Sequence, residues 1–315
     1  MVVAKAPTRL DFGGGWTDVP PFPEERGGFV CNIAIDRYAT VSLAPHSNSH
    51  SLAPPAAERM PPLVHAALRR AGVDDVRVAL QNDFPVGAGL GGSSAACVAL
   101  AAALAMYKGC DGAPSTLAEW SRSVEVEEMG IAGGRQDHYA AAFGGALGLA
   151  FSERVDVDTI HISDDLAHTL ERRCLLAYTG ESRISATTIT AVLDAYRDRV
   201  PRVLHALEAM RTLAQEMRDA LRDEDVDQLA KLVRAHWQHQ RALHPAISTE
   251  RIDAIEAASY RAGAIGMKAL GASGGGCVIV FTPDDDDGRV ARAITSFATV
   301  LPWHIAREGV TVHVE

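Results

Sequence analysis

Residues 85–94 read PVGAGLGGSS and lead directly into an apolar run over residues 95–107. The glycines of this stretch let the backbone approach a ligand more closely than side chains would allow. Ser93 and Ser94 then fall on the first turn of the helix that the apolar run predicts. Because backbone N–H groups at a helix start lack partners and the helix dipole is positive there, the stretch suits phosphate. A serine in this position can also ligate Mg²⁺ bound to the same phosphates.

The same glycines match two other patterns that their surroundings argue against. Gly87, Gly89 and Gly92 fit G-x-G-x-x-G, but QNDFP separates Gly87 from the predicted strand over residues 76–80 that should lead straight into it. A Walker A loop needs Lys before its Ser or Thr, and two serines stand there instead. An N-cap serine after a tight turn stays open as the alternative to an anion site.

Charged residues that phosphoryl transfer would need occur in two other segments. In SVEVEEMGIAGGRQDHYAAAFGG, Glu125 lies in a predicted helix and Asp137 opens the next one after a Gly-Gly turn. The small, apolar setting of Asp137 implies that its charge has partners. In APTRLDFGGGWTDVPP, Arg9 and Asp18 flank a glycine turn and offer a cation and a hydroxyl-binding carboxylate. Together these groups are the parts of a kinase without a P-loop.

Three further patterns suggest chemistry that their context disfavours. GASGG places Ser273 as in a hydrolase elbow, but the turn runs into CVIVF, a predicted strand, whereas the elbow needs a helix. The histidines of HWQHQRALH (His236, His239, His244) lie in a charged helix without a matching carboxylate, which favours a solvated face over a metal site. The acidic run over residues 284–287 predicts a cap before the last helix and no calcium site.

Composition indicates an ordinary globular protein. The chain has 315 residues, 47% of them hydrophobic, and a net charge of −10 without a basic block, so nucleic acid and membrane partners are not expected. Five scattered cysteines without C-x-x-C spacing favour reduced thiols. Charges near the N-terminus argue against a signal peptide, and no apolar run reaches membrane-spanning length. We therefore expect a cytoplasmic protein.

The predicted elements mix strands and helices and change character along the chain. Residues 27–44 read as two strands around Asp36-Arg37, residues 45–62 as a loop, and residues 115–129 as one helix. From about residue 187 to residue 261 long amphipathic helices dominate. A strand, a glycine turn, a strand, a helix and a closing strand complete an α+β chain. The change near residues 165–185 predicts a domain boundary there.

Three segments in order, PTRLDFGGGWTDVPP, PVGAGLGGSSAA and GASGGGCVIVF, resemble the three motifs of the GHMP kinases, which phosphorylate small metabolites. The resemblance covers essentially the whole chain. It implies an N-terminal domain similar to ribosomal protein S5 domain 2 over residues 1–170 and a ferredoxin-like domain over residues 171–315. FGGGWTD, GGRQDHYAAAFGG and LLAYTGESRIS are similar to the sugar 1-kinase branch, which includes heptose 7-phosphate kinases and the kinase domain of fucokinases.

The resemblance also implies roles for individual residues. Asp137 should orient or deprotonate the anomeric hydroxyl, and Arg9 should stabilise the charge developing there. Ser94 and Glu125 should hold Mg²⁺. The residues expected at ATP are Pro85, Gly87, Gly89, Leu90, Gly91, Gly92, Ser93 and Ser94, braced by Gly274 and Gly275. Those expected at the sugar are Thr17, Asp18, Gly134 and His138.

The resemblance leaves the sugar open between two alternatives. The stretch over residues 28–41 is closer to heptose kinases, whereas Trp16, where Gly is expected, is closer to fucokinases, and His138 stands where Gln is usual. For a phosphorylated sugar, Arg183 is the predicted clamp of the distal phosphate. We expect an ATP- and Mg²⁺-dependent monomer or homodimer. The rival hypothesis from another class is a catalytically inactive ligand sensor of the same fold.

Overall fold

The structure, a computed structural model, describes residues 1–45, 60–110, 112–181 and 186–315. Two antiparallel sheets and the helices packed on them form an α+β fold. The strands are β1 Val2–Gly13, β2 Gly28–Pro45, β3 Val76–Asn82, β4 Ala146–Phe151, β5 Val155–Ile160, β6 Cys174–Tyr178, β7 Gly266–Ala269, β8 Cys277–Phe281, β9 Thr299–Leu301 and β10 Thr311–Val314. The helices are α1 Phe22–Arg26, α2 Pro62–Ala71, α3 Gly92–Tyr107, α4 Pro114–Ser123, α5 Gln136–Phe143, α6 Asp164–Arg173, α7 Ala186–Arg197, α8 Pro201–Arg222, α9 Val226–Leu243, α10 Glu250–Arg261 and α11 Arg289–Ile294.

The first sheet has the order β10-β1-β2-β4-β5, with β3 also paired to β2. The prediction of two strands around Asp36-Arg37 is wrong, because β2 runs without interruption through these residues. A shift in register accommodates them: Ile35 pairs with Thr8, and Tyr38 pairs with the preceding Pro7. The irregularity lies directly beside Arg9 on β1. The predicted loop over residues 45–62 falls mainly on residues 46–59, outside the described residues.

Helix α3 packs on the first sheet and forms the centre of its core. Its residues from Ser94 to Leu104 are all buried. Seven of them, six alanines and Cys97, have small apolar side chains that allow close approach to β1 and β2. The continuous apolar sequence of this helix is therefore explained by burial on all sides rather than by a membrane. Its first turn lies at the edge of the core, where it meets the glycine-rich stretch.

The second sheet has the order β7-β8-β6-β9, and α9 and α10 pack against β7, whereas α8 packs on α9 and on β1 and β2 of the first sheet. The closing strand β10 leaves this half of the chain and pairs with β1. The final residues thus join the first sheet, while the boundary at residues 170/171 stays a prediction. Among the described helices, none is both long enough and apolar enough to cross a membrane.

Candidate active site

The glycine-rich stretch connects β3 to α3 and lines a cavity of about 450 Å³. Gly87, Gly89 and Gly91 have φ angles of +71°, +73° and +75°, a conformation that disfavours other residues. A Cβ atom on Gly92 would lie 2.2 Å from the Phe84 ring. Every residue predicted at ATP in this stretch lines the cavity: Pro85, Gly87, Gly89, Leu90, Gly91, Gly92, Ser93 and Ser94.

The start of α3 excludes the serine cap that the sequence left open as the alternative to an anion site. Its N-cap residue is Gly91, and no side chain caps the helix. The Ser93 and Ser94 hydroxyls instead donate hydrogen bonds to Glu125, at 2.5 and 3.0 Å. The N–H groups of the first turn therefore face the cavity without a side-chain cap, as an anion site requires.

A second glycine turn, between β7 and β8, closes on the first one from the other half of the chain. The Cys277 N–H donates to the Ala88 carbonyl at 2.7 Å. A Cβ atom on Gly276 would lie 2.8 Å from that carbonyl oxygen. Of the two glycines predicted to brace the phosphate loop, Gly275 lines the cavity, whereas the Gly274 N–H donates to the Ile247 carbonyl at 3.0 Å.

Ser273 lies in this second turn, within the stretch from Gly271 to Gly276 expected to brace the phosphate loop, but no binding role was predicted for its side chain. It lines the cavity, and its buried hydroxyl has no hydrogen-bond partner among the described residues. The strand β8 that follows the turn differs from the strand–turn–helix geometry of a hydrolase elbow. A hydroxyl free to face the cavity makes Ser273 a candidate phosphate contact.

Glu125 is positioned by a change in helix geometry that the sequence did not predict. The expected helix over residues 115–129 ends as an α-helix at Ser123 and continues as a π-helical turn, Val124–Glu128. Such turns are frequent at functional sites. Burial raises the pKa of Glu125, but His138 and the two serines of α3 outweigh it, so the pKa lies below its usual value and the group is a carboxylate. The His138 Nε2 lies 2.7 Å from Glu125 Oε2.

Arg9 and Asp137 form an ion pair directly beside the glycine loop. The Arg9 Nε and Nη2 atoms lie 2.9 and 2.7 Å from the same Asp137 oxygen, Oδ1. The Arg9 Nη1 donates to the Gly89 carbonyl at 2.6 Å. Arg9 is only 3% exposed and is fixed by these contacts, whereas the Asp137 side chain is 28% exposed and lines the cavity. A cation and a carboxylate thus meet at the edge of the phosphate site.

Asp18 lies behind Asp137 and is held by the start of α5. Its Oδ2 accepts hydrogen bonds from the Arg135 and Gln136 N–H groups, at 2.9 and 3.0 Å. Gly134 allows this approach, since a Cβ atom there would lie 1.8 Å from Asp18 Oδ2. Burial raises the pKa of Asp18 to about 6, with the nearby Asp137 acting in the same direction.

The turn between Arg9 and Asp18 is held in shape by hydrogen bonds between the Thr17 side chain and the backbone. The Thr17 hydroxyl is fully buried and bonded to the Gly14 and Phe29 backbone. Its hydrogen-bonding capacity is used, so we assign Thr17 to shaping the turn rather than to the sugar. Trp16 has a φ angle of +82°, the conformation that favours the glycine expected there. It is buried, and its Nε1 has no partner among the described residues.

A buried network underneath this turn was not predicted. Lys268 on β7 is fully buried and donates to the Asp11 backbone oxygen at 2.8 Å and to its Oδ2 at 3.0 Å. The prediction of a solvated histidine face is wrong for His236, which is fully buried and accepts a hydrogen bond from the Gly14 N–H at 2.8 Å. Burial, reinforced by the Lys268 charge, holds the pKa of His236 well below its usual value, so the ring is neutral.

The remaining predicted residues divide between the site and its surroundings. His239 and His244 are partly exposed, and the described residues contain no cluster of three or more His, Cys, Asp or Glu side chains that could hold a metal. Arg183, the predicted clamp, lies outside the described residues. The glycine cradle, Glu125, the Arg9–Asp137 pair and Asp18 therefore form one continuous site.

Several kinases are similar to this chain in sequence or in fold. The chain is 27% identical to D-glycero-alpha-D-manno-heptose 7-phosphate kinase of Campylobacter jejuni, over 97% of each chain. It is 26% identical to the bifunctional fucokinase/GDP-fucose pyrophosphorylase of Arabidopsis thaliana over 91% of its own length, but spans only 30% of that protein. A D-glycero-D-manno-heptose 1-phosphate kinase from Bacteroides thetaiotaomicron superposes with a TM-score of 0.79, covering 100% of this chain and 99% of the other at 22% identity.

Two models of the GHMP kinase family also match the chain. The model for the GHMP kinases N terminal domain matches residues 61–145, which hold the glycine cradle, Glu125 and Asp137. The model for the GHMP kinases C terminal region matches residues 217–299, which hold the second glycine turn. The two matches together span more than half of the chain, and the predicted fold is confirmed. The chain belongs to the GHMP kinase family.

Proposed function

We propose that this protein transfers the terminal phosphoryl group of ATP to the anomeric hydroxyl of a sugar, with Mg²⁺ as the metal. The observation that carries the proposal is the contact between the acceptor groups and the phosphate cradle. Arg9 bonds both Asp137 and the Gly89 carbonyl, so one side chain connects the candidate base to the loop. Phosphoryl transfer depends on this kind of positioning and electrostatic stabilisation.

Asp137 is the proposed acceptor of the hydroxyl proton. Both Arg9 contacts end on Oδ1, so neither occupies Oδ2, and the side chain faces the cavity. An anomeric hydroxyl is more acidic than an ordinary alcohol, so a carboxylate is an adequate base if water is excluded. Arg9 then stabilises negative charge as it develops on the transferred group and on the acceptor oxygen.

Asp18 is the proposed anchor for sugar hydroxyls, beside Gly134 and the start of α5. One of its oxygens accepts two backbone N–H groups, which fix the carboxyl plane. His138 touches Glu125 instead of the Asp18 carboxyl. We therefore place His138 on the metal side of the proposed site, where it orients the Glu125 carboxylate.

The oxygen groups at the start of α3 fit Mg²⁺. Ser94 Oγ and Glu125 Oε2 lie 3.0 Å apart, and Glu125 is a buried carboxylate. Mg²⁺ prefers oxygen ligands and is commonly held by one or two carboxylates together with substrate phosphates. Ser94 and Glu125 would hold it, and when bound it would neutralise charge on the phosphates.

The acceptor we propose is a heptose 7-phosphate or a related long-chain aldose phosphate. The support is the relative named a heptose 7-phosphate kinase, which matches over 97% of both chains. A fucokinase-like activity on a free hexose is the second candidate, favoured by Trp16 and by the relative named a fucokinase. Either product is a sugar 1-phosphate, the chemical precursor of a nucleotide-activated sugar. We place the reaction in the cytoplasm, where ATP is supplied, and the prediction of a monomer or homodimer stands untested.

A screen of aldoses with six to eight carbons, with and without a terminal phosphate, tests the proposal through coupled ADP release. We expect turnover with ATP and Mg²⁺ to be highest for heptose 7-phosphate, and ³¹P–¹³C coupling in the product to place the new phosphate on C1. Phosphate on any other carbon would contradict the anomeric assignment. Binding of sugar and ATP without ADP release would instead support the inactive sensor.

A further inference from the structure

His236 is a buried polar group that has no part in the proposed reaction so far. It lies on α9, is fully buried, and its Nε2 accepts a hydrogen bond from the Gly14 N–H at 2.8 Å. Its Nδ1 is also buried and has no partner among the described residues. An apolar side chain would fill this position without leaving a polar atom of its own unpaired. The contact with Gly14 is the feature that such a side chain could not supply.

The turn over residues 13–18, which we call the acceptor turn, leaves room for this ring. A Cβ atom on Gly13 would lie 3.1 Å from His236 Cδ2. Gly14 has a φ angle of +89°, and a Cβ atom there would lie 1.9 Å from the Phe29 carbonyl oxygen on β2. The backbone of the acceptor turn is therefore enclosed between β2 and α9, at a distance that only glycine allows.

The contact with His236 leads through the backbone to Asp18, the proposed anchor for sugar hydroxyls. The Gly14 carbonyl accepts hydrogen bonds from the Thr17 N–H and from the Thr17 hydroxyl, at 3.0 and 2.7 Å. Thr17 directly precedes Asp18 in the chain. Both polar groups of Gly14 are thus used, the N–H by the histidine and the carbonyl by the neighbour of the anchor. Losing the histidine contact would release Gly14 and, through Thr17, the Asp18 carboxylate.

The acceptor turn and the second glycine turn are both contacted from α9 and β7. Lys268 on β7 donates to the backbone oxygen and the carboxylate of Asp11, just before the acceptor turn, at 2.8 and 3.0 Å. Gln240, one helical turn after His236 on α9, donates to the Gly271 carbonyl of the second glycine turn at 3.2 Å. Helix α9 packs directly against β7. One packed unit therefore holds the acceptor turn in place relative to the phosphate cradle.

We propose that His236 is a positioning residue for the sugar, because its contact with Gly14 fixes where Asp18 lies relative to Asp137. The inference rests on the proposed function and adds a determinant of sugar affinity from outside the three sequence motifs. Only a neutral imidazole can accept an N–H, since an imidazolium carries a proton on both nitrogens. Burial and the Lys268 charge keep the pKa of His236 well below its usual value, so the ring retains this ability.

Steady-state kinetics of two His236 variants test this role, with heptose 7-phosphate and with fucose as acceptors. His236→Leu leaves the Gly14 N–H without its acceptor, so KM for the sugar should rise about 10- to 100-fold while KM for ATP stays unchanged. His236→Gln offers an amide oxygen in place of Nε2 and should restore most of the sugar affinity. Leu229→Ala, fully buried two turns earlier on α9, is the matched control. It should lower the melting temperature and leave both KM values unchanged.

The outcomes separate a positioning role from a structural one and from failure of the proposed function. A wild-type sugar KM in His236→Leu, an equal rise in His236→Gln, or an equal rise in Leu229→Ala overturns the positioning role, while the kinase remains. If the wild type phosphorylates neither sugar, the proposed function falls. Amide hydrogen exchange over residues 13–18 then decides whether His236 fixes the turn. Faster exchange in His236→Leu than in Leu229→Ala supports this, and equal exchange overturns it.

Discussion

The nucleotide side and the acceptor side of the site are built in different ways. On the nucleotide side, two glycine turns meet backbone to backbone, as in the Cys277–Ala88 hydrogen bond. On the acceptor side, charged side chains meet: Arg9 with the partly exposed Asp137, and Lys268 with Asp11, both buried. The nucleotide side depends on the absence of side chains. The acceptor side depends on particular side chains that come from distant parts of the chain.

This difference explains where the chain departs from the pattern expected for heptose kinases. Trp16 lies in the turn on the acceptor side and His138 lies beside Glu125, while the cradle keeps every expected glycine and serine. A backbone cradle has few alternatives, because a Cβ atom on Gly89 or on Gly276 would lie 2.8 Å from a main-chain oxygen. Side chains around an acceptor can change with the acceptor, so the acceptor side is where substrate choice is decided.

The largest effect that we expect comes from Asp137. Asp137→Ala should lower kcat on the order of 10²- to 10⁴-fold, because the acceptor hydroxyl loses its base. KM for ATP should stay nearly constant, since the cradle is built from backbone. Asp137→Asn keeps the shape and should lose as much rate. Steady-state kinetics measure both variants, and an unchanged kcat would remove Asp137 from the reaction.

Breaking the buried pair under the acceptor turn should be next in size. Lys268→Met leaves the Asp11 carboxylate buried without its cation, which should lower the free energy of unfolding by about 3–5 kcal/mol. Adding Asp11→Leu should restore most of that loss, because replacing both members of a buried pair is often close to neutral. Urea unfolding measures both. A double variant as unstable as the single one would show that the pair is not the cause.

Asp18 should make stability depend on pH. Its pKa is raised from 3.8 to about 6 in the folded state. Well below pH 3.8 the group is protonated in both states, but as pH rises from 3.8 to about 6 the unfolded state ionises first and the free energy of unfolding falls. Asp18→Asn lacks this penalty and should be more stable above pH 6, by about 3 kcal/mol, while losing sugar affinity.

Thermal unfolding between pH 3.5 and pH 8 measures this difference, which should shrink towards zero as pH falls below 3.8. Asp284→Asn is the control, because its effect on the free energy of unfolding should change with pH in the opposite direction. The exposed Asp284 carboxylate has its pKa lowered by Arg172, so its contribution is present at neutral pH and lost on acidification. A constant difference between Asp18→Asn and wild type across this range would contradict the burial of an ionisable Asp18.

The smallest expected effect tests the cradle with two matched glycines. Gly89 and Gly72 have similar φ angles of +73° and +62°, so alanine strains the backbone alike at both. A Cβ atom on Gly89 would lie 2.8 Å from the Leu270 carbonyl oxygen, whereas one on Gly72 meets nothing within 4 Å. Gly89→Ala should therefore raise KM for ATP about tenfold, equivalent to ~1.4 kcal/mol, and Gly72→Ala should not. Equal KM values would contradict close packing of the two turns.

The fold and the cradle could be predicted from sequence because their signals are local. Helix starts, glycine turns and apolar strands are each determined by residues that are neighbours in the sequence, and the three motifs occur in order. The π-helical turn at Glu125 could not be predicted, since a helical sequence carries no sign of an inserted residue in the turn. His236 could not be placed either. Its charged helix suggests solvent, and only packing against Gly14 removes the ring from water.

The sequence by itself determined an α+β chain with a phosphate cradle and a set of charged residues suited to phosphoryl transfer. Only the tertiary structure decided which charges meet: Arg9 with Asp137 across 128 positions, and Lys268 with Asp11 across 257. The physical reason is that backbone conformation is selected by adjacent residues. The energy of a buried charge depends instead on whichever partner the fold brings within a few ångströms.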